Sequence, residues 1–151
     1  MNTLSFSSIR RLGGAMFAMF ILALAGAAKA SEPLHILIKD VVTFDANDNP
    51  IGVVWSSSGA FTSSGTVTLQ RQLEYHGGPV AVEHVIATHM DAQGSFAVEA
   101  EHVLGLGHPG YWVIRDGTGI YAGLHGSGTL TIHSIDAHNL LVVQEGEVHF
   151  D

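Results

Sequence analysis

Histidine is the side chain that most invites a chemical reading of this sequence: ten occur, all between positions 35 and 149. Imidazole binds metals and moves protons near neutral pH, so spacing decides what the set can do. No HExxH is present, and His84 and His89, five apart, belong on opposite faces of a strand. No residue is therefore assigned to a metal centre. The sharper candidate is a pair. If Ala92-Gln93-Gly94 is a three-residue hairpin loop with Gly94 in the left-handed position, Asp91 faces Ser95. Met90 then meets Phe96, Ile86 meets Ala100 and His84 meets His102, all on one apolar face. Two imidazoles inside a sheet could hold a ligand or exchange protons; two core histidines satisfied by each other are the plainer alternative. Trp55, Tyr75, Trp112 and Tyr121 are candidates to wall an apolar pocket, their polar atoms orienting a ligand. With His84 and His102 they make up the expected ligand-binding set.

Other constellations carry less. Glu99 and Glu101 share a face and read as a solvent-exposed acidic stripe rather than a catalytic pair, with Glu83 expected on that same outer face. Gly117-Thr118-Gly119 lacks the lysine of a phosphate loop and opens no helix, so it reads as a tight turn with Asp116. No GxSxG nucleophile elbow is present, and with no cysteine there is neither thiol chemistry nor a disulfide scaffold. No catalytic residue is assigned.

The elements that must position these residues follow a signal for export. Arg10 and Arg11, the apolar run Ala15 to Ala27 and the small-x-small site Ala28-Lys29-Ala30 read as a cleavable signal peptide over residues 1–30. The apolar run is too short for the ~20 residues that span a bilayer, and no second one follows, so no membrane span is expected after cleavage. A secreted or periplasmic location is expected. Residues 31–151 are left as one domain, in which fourteen acidic residues against Lys39, Arg71 and Arg115 give eleven net negative charges with histidine neutral. That balance excludes nucleic acid, which needs a basic patch.

Within the domain nearly every stretch has period two or is a short β-branched run bounded by Gly, Asn, Asp or Pro, and none reads as a helix. Strands are expected over His35 to Phe44, Ile51 to Ser56, Thr66 to Tyr75, both arms of a Val80 to Leu104 hairpin, Tyr111 to Arg115, Ile120 to Gly128, Thr129 to Ser134 and Leu140 to Phe150, the last broken near Gly146. The turns fall at Asp45 to Pro50, His76 to Pro79, Gly105 to Gly110, Asp116 to Gly119 and Asp136 to Asn139. Repeated glycines inside strands mark bends, and six to eight bent strands are best served by a sheet closed on itself.

The run Gly110-Tyr111-Trp112-Val113-Ile114-Arg115-Asp116-Gly117-Thr118-Gly119-Ile120-Tyr121-Ala122-Gly123-Leu124-His125-Gly126-Ser127-Gly128 resembles the signature region of allene oxide cyclase-like and dirigent-like barrels. The stretch Phe61 to Gly65 is similar to the start of such barrels, and a bacterial family of small proteins shares the barrel and a similar turn. The resemblance implies an all-β fold, a small antiparallel barrel of about eight strands with an apolar cavity. It also implies trimers, as in plant members, and the guiding of cyclisation or coupling of hydrophobic intermediates without a cofactor. The expected function is thus an exported barrel that binds an apolar small molecule, as an isomerase, a cyclase or a dirigent-like guide. The competing expectation is a non-catalytic envelope or extracellular protein that binds a divalent metal or a protein partner.

Overall fold

The computed structural model describes residues 32–75, 81–104 and 107–151. The expected signal peptide, the His76 to Pro79 turn and the start of the Gly105 to Gly110 loop lie outside these residues. Eight strands follow in chain order: β1 Leu34–Phe44, β2 Pro50–Gly59, β3 Ser63–Tyr75, β4 Ala81–Met90, β5 Gly94–Leu104, β6 Gly110–Gly119, β7 Leu124–Ser134 and β8 Asn139–Phe150. Each pairs antiparallel with its neighbour in sequence, and β8 pairs with β1, so the sheet closes into the eight-stranded barrel that the resemblance implies. Closure leaves the sheet no terminal strand. Among the described residues there is no helix, hence none long and apolar enough to cross a membrane.

Period two sets what lies inside. Along β1, Ile36, Ile38, Asp40 and Val42 are buried while the residues between them are at least partly open to solvent. Two Asx turns close hairpins at one end of the barrel: Asp45 accepts from the amides of Asn47 and Asn49, and Asp136 from that of His138. These bonds hold both carboxyls below their ordinary range.

Three sequence expectations are corrected. First, the β4–β5 register differs by one residue: Met90 faces Ser95, so His84 faces Glu101 and Glu83 faces His102. The reason lies in the turn. Asp91 Oδ1 accepts from the amides of Gln93 and Gly94, making Asp91-Ala92-Gln93 the connection. Gly94 already belongs to β5, where an added Cβ would lie 2.2 Å from the Thr118 carbonyl oxygen. Its φ is positive, at +158, but it sits in the strand and not in the loop, and its hydrogen side chain serves close approach to β6. The even positions of β4 consequently face out, leaving Ile86 and Met90 exposed.

Second, Gly117-Thr118-Gly119 is the end of β6 and the turn sits at Ile120 to Gly123. At Gly117 a Cβ would be 1.9 Å from the Tyr121 carbonyl oxygen, and Gly119 has φ +60 against the Gln93 carbonyl. Third, the glycines expected to break the last strands do not: β7 and β8 run unbroken through Gly126, Gly128 and Gly146, which let the backbones and Trp112 come close.

The barrel has two unlike halves. Toward the β4–β5 and β6–β7 turns, its interior is filled by Ile36, Ile38, Trp55, Phe96, Trp112, Tyr121, Leu124 and Val148, with Phe61 packed over them. Toward the Asx turns the interior is a cavity. There the β2–β3 ladder stops at Val54 opposite Thr66, so β3 beyond Thr66 keeps its ladder to β4 alone.

Candidate functional site

The cavity has a volume of about 90 Å³, several times the ~10–15 Å³ that one water occupies, and opens to solvent. Six strands wall it and β2 and β6 supply none of its lining. Most of that lining is apolar, among it Val85, Ala100, Ile132, Leu140 and Val142. Five polar residues interrupt it: Asp40, Arg71, Glu83, His102 and Gln144.

The floor is built on one carboxylate. Asp40 (4% exposed) accepts a 2.7 Å bond from Gln144 Nε2 on Oδ2, and His89 Nε2 stands 3.1 Å from Oδ1. His89 is fully enclosed, stacked on Phe96 at 4.7 Å with Trp55 edge-on at 5.4 Å. Its Nδ1 lies 3.2 Å from the Ala87 carbonyl oxygen. A carbonyl only accepts, so Nδ1 carries a hydrogen, and the bond between Nε2 and Asp40 holds one further proton. The floor therefore has a carboxylate that can accept from a ligand, backed by an imidazole that shares its proton.

Nearer the mouth, Arg71 Nε donates to Glu83 Oε1 at 2.6 Å and a terminal guanidinium nitrogen meets the same oxygen. Glu83 is 6% exposed, so this ion pair is half inside the wall. His102 lies directly across from Glu83, yet its Nδ1 has no hydrogen-bond partner, and neither has Gln144 Oε1.

No family model and no curated protein matches the chain. Among solved structures the barrel is similar to that of a pterocarpan synthase dirigent protein. The two share 17% identity over 81% of this chain and 90% of that one, with a TM-score of 0.45.

The expected His84 and His102 pair does not form. His84 points outward, 3.6 Å from Glu101, while His102 lines the cavity, because the one-residue change of register puts them on opposite faces. The same change turns Glu83 inward. Glu99 does face out, paired with Arg115 at 2.9 Å, and Glu101 is exposed. Trp55, Trp112 and Tyr121 belong to the filled half and are absent from the cavity lining. Their polar atoms are spent inside: Trp55 donates to the Met90 carbonyl, Trp112 to that of Thr129, and Tyr121 to Asp91. The side chain of Tyr75 lies outside the described residues. Among those residues no group of three or more histidine and carboxylate side chains is arranged for a metal ion.

The floor itself was missed, though a signal for it is present. Asp40 follows Ile36 and Ile38 and precedes Val42 at the inward parity of β1, and Gln144 continues the inward series of Leu140 and Val142. A polar residue in phase with a core stripe is the mark of a site or of a buried network.

Proposed function

We propose that this chain is an exported barrel that binds an apolar small molecule in its open half, in the manner of a dirigent-like guide. The observation that carries the reading is the cavity: an apolar chamber, open to solvent, with His102 Nδ1 and Gln144 Oε1 buried in its wall without partners. Apolar walls interrupted by a few polar side chains, here Asp40, Arg71, Glu83, His102 and Gln144, are the make-up of small-molecule sites. Apolar walls supply affinity, at ~25 cal/mol per Å² removed from water, and the polar atoms supply orientation. The eleven net negative charges favour neutral ligands over anions.

Export rests on Arg10, Arg11, the apolar run after them and Ala28-Lys29-Ala30, which support a secreted or periplasmic protein processed after Ala30. An isomerase or cyclase role would fall to Asp40, the cavity carboxylate that shares a proton with His89. Association as a trimer belongs to the same reading and rests on the resemblance alone.

Native mass spectrometry of the processed protein from its own producer tests the reading. An added organic mass, lost in the cavity-filling variant Ala100→Phe, is the expected result. A bare mass, or an organic mass that Ala100→Phe retains, would move the function to the barrel's outer surface, and an added metal mass would favour the competing reading.

A further inference from the structure

From Val67 to Leu73, β3 has a ladder to β4 on one side and, among the described residues, no strand on the other. The β2 segment that it parts from, Pro50 to Val53, stays paired to β1. Two side chains mark what the parting uncovers. Ile51 and Leu73 sit at the inward parity of their strands, in phase with Val53 and Trp55 and with Val67 and Leu69, yet they are 67% and 40% exposed. A strand edge offers unpaired amides and carbonyls to any other strand, and proteins commonly block it with proline, lysine or a bulge. β2 carries such a block at Pro50, with a register shift opposite it between Thr43 and Phe44. β3 carries no proline or lysine between Val67 and Leu73, and its one charge there, Arg71, is drawn to Glu83 of its own barrel.

The residues along this edge say what fits it. Leu69-Gln70-Arg71-Gln72-Leu73 reads the same in both directions. An antiparallel strand of the same sequence, centred on Arg71, sets Leu69 against Leu73 and Gln70 against Gln72, and a two-fold axis repeats both contacts. Apolar side chains then meet on the inner face, and on the outer face, where Gln70 and Gln72 are exposed, amide meets amide. The two arginines at the axis are each balanced by a Glu83 of their own chain. Charge favours the same approach. Eleven net negative charges set one copy against another, but β2 has no charged residue and Val67 to Leu73 has only the balanced Arg71. We propose that two copies of this chain associate edge to edge through β3, so that the sheet of one barrel continues into the other. The pairing is separate from the cavity and does not depend on what the cavity holds.

Sedimentation velocity and native mass spectrometry of the processed protein, from about 1 to 100 μM, read the number of chains. Two chains are expected, or six if trimers form as well. Gln70→Lys with Gln72→Lys places like charges opposite each other twice in the pair. That variant is expected to raise the dissociation constant about tenfold and to halve the mass where the unmutated protein is paired. Gln70→Glu with Gln72→Lys places opposite charges at the same two contacts and is expected to keep the pair. All these substitutions lie on the exposed outer face, so thermal melts should stay close to that of the unmutated barrel. A single chain across the whole range, or three chains and no more, would overturn the inference. So would a pair that the two lysines leave intact, or one that the glutamate and lysine together fail to keep. The unmutated protein decides the first two outcomes without any variant, and none of the four bears on the cavity, whose test is the bound organic mass.

Discussion

The Tyr121 hydroxyl donates to Asp91 Oδ2 across 2.5 Å, and Ser63 donates to the same oxygen, joining three turns at the filled end of the barrel. Burial raises the Asp91 carboxyl, but the bonds from Ser63, Tyr121 and the amides of Gln93 and Gly94 outweigh it and hold the carboxyl below its ordinary value. Burial, then the bond to Asp91, pushes the Tyr121 hydroxyl above its ordinary value.

These opposite displacements predict two pH limbs. A depressed Asp91 stabilises the fold above the ordinary aspartate value, and that contribution is lost as pH falls through the lowered one. A raised Tyr121 stabilises below the ordinary tyrosine value of 10.0, and that contribution is lost as pH climbs through the raised one. Urea midpoints followed across pH should show Asp91→Asn with a flatter acid limb and Tyr121→Phe with a flatter alkaline limb. Tyr121→Phe should also cost about 1–3 kcal/mol at neutral pH. An alkaline limb unchanged by Tyr121→Phe would show that another group sets it.

The filled half should carry most of the stability. Phe96 contacts Trp55, Phe61, His89 and Tyr121 through its ring, so Phe96→Ala should cost about 3–5 kcal/mol. Leu69 lines the cavity and already faces open space on one side. Leu69→Ala should cost roughly 1–2 kcal/mol by the area it uncovers. Chemical denaturation of the two variants checks the ratio, and equal costs would contradict the division into halves.

Two glycines should behave in opposite ways. A Cβ at Gly146 would stand 2.1 Å from the Ser127 carbonyl oxygen and 2.7 Å from Trp112 Cζ2, so Gly146→Ala should lose at least 1–3 kcal/mol through overpacking. Gly52 has nothing within 4 Å of the same position, and Gly52→Ala should gain up to ~1 kcal/mol by restricting the unfolded chain. Thermal melts separate the two.

At the mouth, Arg71→Leu strips a buried carboxylate of its counter-charge and should destabilise by about 2 kcal/mol, below the full value for a buried pair because Arg71 is a third exposed. Glu83→Gln frees an arginine that can turn to water and should cost less. If the order is reversed, the carboxylate is solvated in a way that its 6% exposure does not allow.

How much of this was legible in sequence depended on which forces set each feature. Alternation and turn residues gave the all-β class, the closed sheet and the Asx turns at Asp45 and Asp136, because these depend on local chemistry. The β4–β5 register did not follow from alternation. Both parities of β4 are apolar enough to be buried, with Val82, Ile86 and Met90 on one and Ala81, Val85 and Ala87 on the other. What decides between them is non-local: Gly94 must meet Gly119 of β6, and His89 must reach Asp40 of β1. The histidine pair rested on that register and went with it. His89 was correctly separated from His84, but nothing nearby in sequence announces a partner forty-nine residues upstream.

The separation of a filled half from an open one has a consequence for inheritance. Val85, Ala100, Ile132 and Val142 line the chamber and also pack against the buried core, so drift that resizes the chamber registers in the melting temperature as well. A lineage built on this plan reshapes its chamber and tries its stability at the same positions.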